Sequence, residues 1–386
     1  MRGGSSVAGE LFNCDPSATM WYEPGDAFFS SYYGLHHETL PQNDLYFRNM
    51  TRRMLNYKEQ DALVHFYNYI FSCNYKDLPP EAMAHYFLGE SSAMDEYVSC
   101  MSHRRTKYID INSCKNFIHS TCSSDLVETS LAAKCPLIIE SVQTIIEGYP
   151  NISDEKWLLM LLNHQLAEHM IYLSFNKSED LLQFIRHGLC IEKMRKDNIQ
   201  CIDKAEQRCR KDNLIVVQVN RMNMEDLDPI IKANPDIYVV HYTRDPRAIA
   251  LSRYKTGILL FDKVNQSTIR EAQFICNKMR EDIRQRLILE EKYPGIFVHL
   301  TYESLAEDPE GFAKIFYGLF NESYPTAWNT FIEEHMHGYM DGSTFGITVR
   351  NATETALRWR TEMSKHDLDT INKFCSDVII SLGYMI

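Results

Sequence analysis

Apolar positions at the start of the chain, Val7, Ala8, Leu11 and Phe12, recur at helical spacing, so a helix opens directly behind Arg2-Gly3-Gly4-Ser5-Ser6. Ala18 to Tyr22 is β-prone and closes at Glu23-Pro24-Gly25, a strand running into a loop. From about residue 28 to 210 the pattern is mostly helical, with aromatic and leucine-rich stretches at Asp61 to Phe71 and Glu155 to Leu173 and breaks at Leu78-Pro79-Pro80 and Gly148-Tyr149-Pro150. The stripe Phe66, Tyr67, Tyr69 and Ile70 reads as core, and His164 and His169 as structural. Leu214 to Val219 is an apolar run suited to a strand buried on both faces, and Arg221 follows it. Met224 to Ala233 is helical, Asn234-Pro235-Asp236 a turn, and Ile237 to Tyr242 a second buried strand. Strand, helix, strand at this spacing is a βαβ unit, so a parallel sheet is expected.

Asp245 and Pro246 suit a helix cap and a first helical residue, so another helix begins at the end of that second strand. Asn277 to Glu291 is a charged helix, Ile296 to Leu300 a short strand ending at Thr301-Tyr302-Glu303, and Asp308 to Phe320 a further helix. Gly338 to Val349 is a Gly-rich loop. The pattern predicts an α/β fold: one catalytic-sized domain over 1–386, a parallel sheet flanked by helices, and a long, mainly helical insertion over 36–200.

Composition changes this picture in three ways. A net charge of -12 over 386 residues argues against general nucleic-acid binding, so any anion must be held by a local basic cluster. The 11 cysteines contain no C-x-x-C pair; Cys201 and Cys209 stand eight apart, as do Cys114 and Cys122, in polar sequence where disulfides fit. Six N-x-S/T sequons begin at Asn49, Asn151, Asn176, Asn265, Asn321 and Asn351. Cysteines and sequons together lean towards an oxidising lumen; free thiols and unused sequons in a cytosolic protein are the alternative. No apolar run reaches the ~18 residues of a membrane span. No metal is expected; the nearest thing to a ligand set is His335 and His337 beside Glu333 and Glu334.

The candidate chemistry is anion binding. Gly3 and Gly4 let the backbone fold tightly, Ser5 and Ser6 add hydroxyls, and the helix start adds N–H groups and the positive end of its dipole. No lysine follows the last glycine as a Walker loop requires, and Arg2 is the nearby cation. Arg244 ends the second buried strand, with Ser252 two turns into the following helix, which makes a second anion site for the same ligand. Glu23, just past a strand, is the candidate general base. Trp359 and Arg360 offer stacking and charge to a nucleotide.

These residues resemble the membrane-bound carbohydrate sulfotransferases of the Golgi, the branch acting on the 6-hydroxyl of galactose, N-acetylgalactosamine or N-acetylglucosamine. Arg2 to Ser6 with Gly9 to Asn13 resembles the family's 5′-phosphosulfate loop, and Glu23-Pro24 its Glu-Pro after the second strand. Arg244-Asp245-Pro246-Arg247-Ala248 with Ser252-Arg253 resembles the 3′-phosphate motif; Asn351 to Arg360 and Cys375 to Tyr384 resemble the C-terminal segment. Cys201 and Cys209, ahead of the strand and Arg221, resemble its pattern as well. Gly4 stands where the family usually has Ser or Thr, and Gln218 where it often has lysine. The resemblance implies a P-loop-type fold, the donor 3′-phosphoadenosine 5′-phosphosulfate (PAPS), no metal, a glycan or glycoprotein acceptor and no nucleic-acid partner. It also implies a Golgi-lumenal domain behind an N-terminal type II membrane anchor. Because a phosphate loop normally follows a central strand, that strand and the anchor are expected ahead of Met1. Two other readings stand beside it: a non-catalytic glycan-binding or interaction protein on a decayed sulfotransferase fold, and a P-loop nucleotide kinase.

Overall fold

The computed structural model describes residues 4–25, 27–28, 54–55, 57–78, 82–83, 88–89, 91–103, 197–220, 222–256, 268–336 and 351–386. Arg2, Gly3, Arg221, Cys114, Cys122, His164, His169, His337, the stretch 155–173 and the loop 338–349 lie outside them. The fold is α/β, and the chain divides into two units, Met1–Met20 with Met222–Ile386, and Trp21–Arg221.

The first unit begins with α1 (Ser5–Asn13), which buries Ala8, Gly9, Leu11 and Phe12 as its spacing predicts. Phe12 meets the rings of Phe316 and Tyr317 at 5.1 and 5.9 Å between centroids. Asp15 ends the helix, accepting from the Ser17 N–H and from the Tyr317 hydroxyl, at 2.8 and 2.7 Å. The strand β1 (Ala18–Tyr22), buried at all five positions, then carries the chain into the second unit.

In that unit α2 (Tyr57–Phe71) buries Phe66, Tyr67 and Ile70, while Tyr69 is half-exposed. The Trp21 indole N–H donates to the Tyr75 hydroxyl at 3.2 Å. Beyond α3 (Asp95–His103), α4 (Ile199–Cys209) presents Cys201 and Cys209 on its buried side. They do not bond to each other: disulfides join Cys100 to Cys201 and Cys73 to Cys209. A half-buried strand β2 (Leu214–Gln218) pairs with β1.

The chain re-enters the first unit at Met222. The helix expected over 224–233 is a short 3-10 turn, Met224–Asp226, followed by α5 (Leu227–Ala233), and the Asn223 N–H donates to Asp226 at the junction. β3 (Val239–Thr243) leads into α6 (Pro246–Thr256), then α7 (Thr268–Lys292) and β4 (Phe297–Thr301). β3 and β4 pair in parallel, Val239 opposite Phe297 through Thr243 opposite Thr301. The stretch 214–242, read above as one βαβ unit, is not a paired unit among the described residues. The parallel pairing falls to β3 and β4, where α6 and α7 supply the long crossover that a parallel return needs. The rest of the unit is helical: α8 (Tyr302–Glu307), α9 (Pro309–Gly318), α10 (Ala327–Phe331), α11 (Ala352–Leu357), α12 (Trp359–Glu362) and α13 (Lys365–Ser381). α13 is tied to α7 by the Cys276–Cys375 disulfide and by the Arg280–Asp377 ion pair.

Candidate anion site

Gly4 precedes α1 in the left-handed region, at φ +82, where a side chain is strained. A Cβ there would stand 2.2 Å from Cδ2 of Tyr302, the first residue of α8. Only glycine therefore lets the chain lie against this ring. The Arg244 guanidinium sits 4.2 Å from the centroid of the same ring. The loop opening α1 and the arginine ending β3 thus converge on Tyr302, whose hydroxyl reaches Ala352 O at 3.5 Å.

Arg244 is only 5% exposed. Its Nη2 donates to Thr355 O at 2.9 Å, and its Nε is buried with no hydrogen-bond partner among the described residues. An unmet donor on a buried cation is costly, so the arrangement suits an anion. The helix start beside it leaves its first N–H groups without intrahelical acceptors. Ser5 is half-buried and Ser6 exposed at that start, and Ser252 is half-buried on α6. A cradle that a Cβ would fill and an orphaned guanidinium donor fit the anionic groups of the donor that the resemblance implies.

Around this point the polar groups are fixed by Asp245, Arg247 and Trp359, which the sequence reading placed in its motifs, and by Glu303 and Tyr384, to which it gave no role. Asp245 takes a forked pair of bonds from Arg247, Nε at 2.9 Å and Nη2 at 2.8 Å, and also its backbone N–H at 2.9 Å. The Arg247 guanidinium lies 4.0 Å from the Trp359 ring centroid, and Arg360 lies 4.9 Å from it. Trp359 is therefore buried against Arg247, while Arg360 is exposed. Glu303 accepts from the Asp245 N–H at 3.2 Å and from the Tyr384 hydroxyl. Burial raises the Glu303 carboxyl above its ordinary value, opposed by those two donors and by the nearby Arg244 charge. The signal for Tyr302 and Glu303 was their position just past β4, the edge equivalent to that of Arg244; nothing local marked Thr355 as the partner of Arg244 or Tyr384 as that of Glu303.

Glu23 belongs to the second unit. It is buried, 4% exposed, and holds φ +51, an unusual conformation for a residue with a side chain. Its N–H donates to Gln218 O at 2.9 Å, and its Oε2 accepts from the Asn220 N–H at 3.2 Å. The carboxylate is thus pinned at the ends of β1 and β2. Among the described residues no group of three or more His, Cys, Asp or Glu is arranged to hold a metal ion.

Comparison with known proteins agrees with this chemistry. The profile of the sulfotransferase family matches residues 161–325, which take in the Arg244 segment, β4 and α9. Over this stretch the chain is similar to the sulfotransferase family. It is similar to carbohydrate sulfotransferase 2 of Mus musculus, 23% identical over 223 residues, covering 48% of this chain and 42% of that protein. It is also similar to carbohydrate sulfotransferase 4 of Mus musculus, 24% over 202 residues, 48% and 52% covered. Human carbohydrate sulfotransferase 3 is 25% identical over 213 residues, 50% and 44% covered. The chain spans about half the length of the curated relatives it matches. No solved structure matches it.

Proposed function

We propose that the protein moves a sulfuryl group from PAPS to a glycan hydroxyl, the 6-O position of a hexose or N-acetylhexosamine, within the Golgi lumen. The observation that carries this reading is the convergence of the Gly4 loop and Arg244 on the single ring of Tyr302. Two anion-binding elements on one side chain suit a ligand with two anionic groups, and the 3′-phosphate and 5′-phosphosulfate of PAPS are such a pair. Names of the matched relatives point to carbohydrate as acceptor.

In this reading Arg2, the N–H groups from Gly3 to Ser6 and the Ser5 and Ser6 hydroxyls hold the 5′-phosphosulfate, while Arg244 and Ser252 hold the 3′-phosphate. Arg360 and Trp359 close over the nucleotide, with Trp359 stiffened by Arg247. The acceptor oxygen forms a bond to sulfur as the bond from sulfur to the 5′-phosphate oxygen breaks, and charge grows on the sulfuryl oxygens and the leaving phosphate. Fixed donors stabilise that charge, by analogy with phosphoryl transfer. Glu23 takes the hydroxyl proton; its pinned, left-handed backbone is the kind of local strain that accompanies functional positions.

Calorimetric titration with 3′-phosphoadenosine 5′-phosphate tests the reading. Binding is expected for the unaltered chain and not for ATP, which lacks the 3′-phosphate. Arg244→Ala is expected to weaken it by about 10- to 100-fold, the scale of a lost charge-assisted contact. Equal binding of ATP, or no effect of Arg244→Ala, would overturn it.

A further inference from the structure

Two of the sequons lie among the described residues, and their surroundings differ. Asn351 is committed to the fold: its Oδ1 caps α11 by accepting the Glu354 N–H at 2.9 Å. The hydroxyl of its sequon partner, Thr353, donates to Ala306 O at 3.0 Å. The same helix supplies the Thr355 carbonyl that holds Arg244, so a glycan at Asn351 would crowd the anion site. Asn321 stands apart from that machinery. It follows α9 in the left-handed region at φ +58, a conformation asparagine tolerates. Asn321, Glu322 and Ser323 are all exposed. The turn is held by backbone hydrogen bonds, Asn321 N–H to Gly318 O and Glu322 N–H to Tyr317 O at 3.2 and 3.0 Å. Beside it lies an exposed aromatic pair, Tyr238 and Phe320, 42% and 36% exposed and edge to face at 5.3 Å.

We infer that Asn321 carries an N-linked glycan and that Asn351 does not. The inference rests on the lumenal location proposed above. In the step, Nδ2 of Asn321 attacks the anomeric carbon of a lipid-diphosphate-linked oligosaccharide, supplied with its transferase in the lumen. The C–N bond forms, the bond from that carbon to the diphosphate oxygen breaks, the amide nitrogen gives up a proton, and the lipid diphosphate leaves with the electron pair. The glycan stands next to Tyr238 and Phe320, whose rings offer an apolar surface to the sugar faces and are thereby screened from other proteins.

The test is peptide mass spectrometry on the chain secreted from mammalian cells behind a cleavable leader, after enzymatic deglycosylation in heavy-oxygen water. The expected result is labelled conversion to aspartate at 321 in most molecules and none at 351. Ser323→Ala, which destroys the sequon without touching the left-handed residue, should remove one glycan's mobility shift while leaving secretion and thermal unfolding unchanged, because Ser323 is exposed. Glycans at other sequons with none at 321, or modification at 351 as complete as at 321, overturn the assignment. A chain secreted without a glycan at any sequon overturns the assignment, whereas a cytosolic location of the protein expressed from its own gene overturns the lumenal reading.

Discussion

At the scale of single residues, Gly4 is the position where sequence and geometry meet most closely. Its need for a glycine was legible, since a tight anion loop calls for one; the ring pressed against it was not, because Tyr302 lies far along the sequence and no local signal links the two. The family's usual Ser or Thr at this position makes the substitution informative. Gly4→Ser restores a hydroxyl, yet it must hold φ +82 with a Cβ 2.2 Å from Tyr302 Cδ2. Tyr302 cannot easily yield, being buried beneath Arg244. Both Gly4→Ser and Gly4→Ala are therefore expected to lose donor binding and to cost about 1–3 kcal/mol in urea unfolding, the range of overpacking combined with backbone strain. Binding kept at full strength in Gly4→Ser would mean that the loop takes another conformation.

Among elements, helix starts were the most legible because their chemistry is local. Asp308 accepts the Gly311 N–H at 2.8 Å with Pro309 at the first turn, and α6 likewise begins at Pro246. Strand partners were less so, since pairing depends on register between distant segments. The parallel register of β3 and β4 sets His241 opposite His299, rings 5.6 Å apart. The charges near this pair come from α7: Lys278, Asp282 and Arg286 act on His241, and Arg286 and Glu290 on His299. Burial pushes His241 from 6.5 down to about 4, with Asp282 opposing and the cations and His299 assisting. His299, lowered chiefly by burial, moves the same way and holds Thr243 at 2.8 Å. A histidine that is neutral when folded binds fewer protons than in the unfolded chain. Its contribution to stability is whole above the unfolded value of 6.5 and is lost as pH falls from there towards about 4. For His241 the full loss is on the order of 3 kcal/mol. The melting temperature should therefore fall between about pH 7 and pH 5, and His241→Phe should fall less over that interval. The same drop in both proteins would show that other groups set the acid limit.

On the scale of the whole molecule, the disulfides are the ties that local pattern could not supply. Sequence showed that Cys201 and Cys209 were spaced on one segment and suited an oxidising compartment; it could not assign partners, because six or more cysteines allow many pairings. In the second unit each of the two reaches a cysteine at least 101 residues earlier, and in the first unit Cys276 and Cys375 close a separation of 99. Linking segments so distant in sequence restricts the unfolded chain heavily. The consequence is sharpest at Cys276–Cys375, which fastens α13 to α7, since α13 leads to Tyr384 and Tyr384 holds Glu303 beside Arg244. Replacing both cysteines by alanine is expected to cost about 2–5 kcal/mol. It should also weaken 3′-phosphoadenosine 5′-phosphate binding without altering the preference over ATP, since the side chains that contact the ligand remain. Non-reducing peptide mapping beside urea unfolding checks both halves of the prediction. Linked 276–375 peptides in the unaltered protein together with an unchanged midpoint in the double variant would mean that the packing of α7 on α13 holds the C-terminal segment in place without the covalent bond.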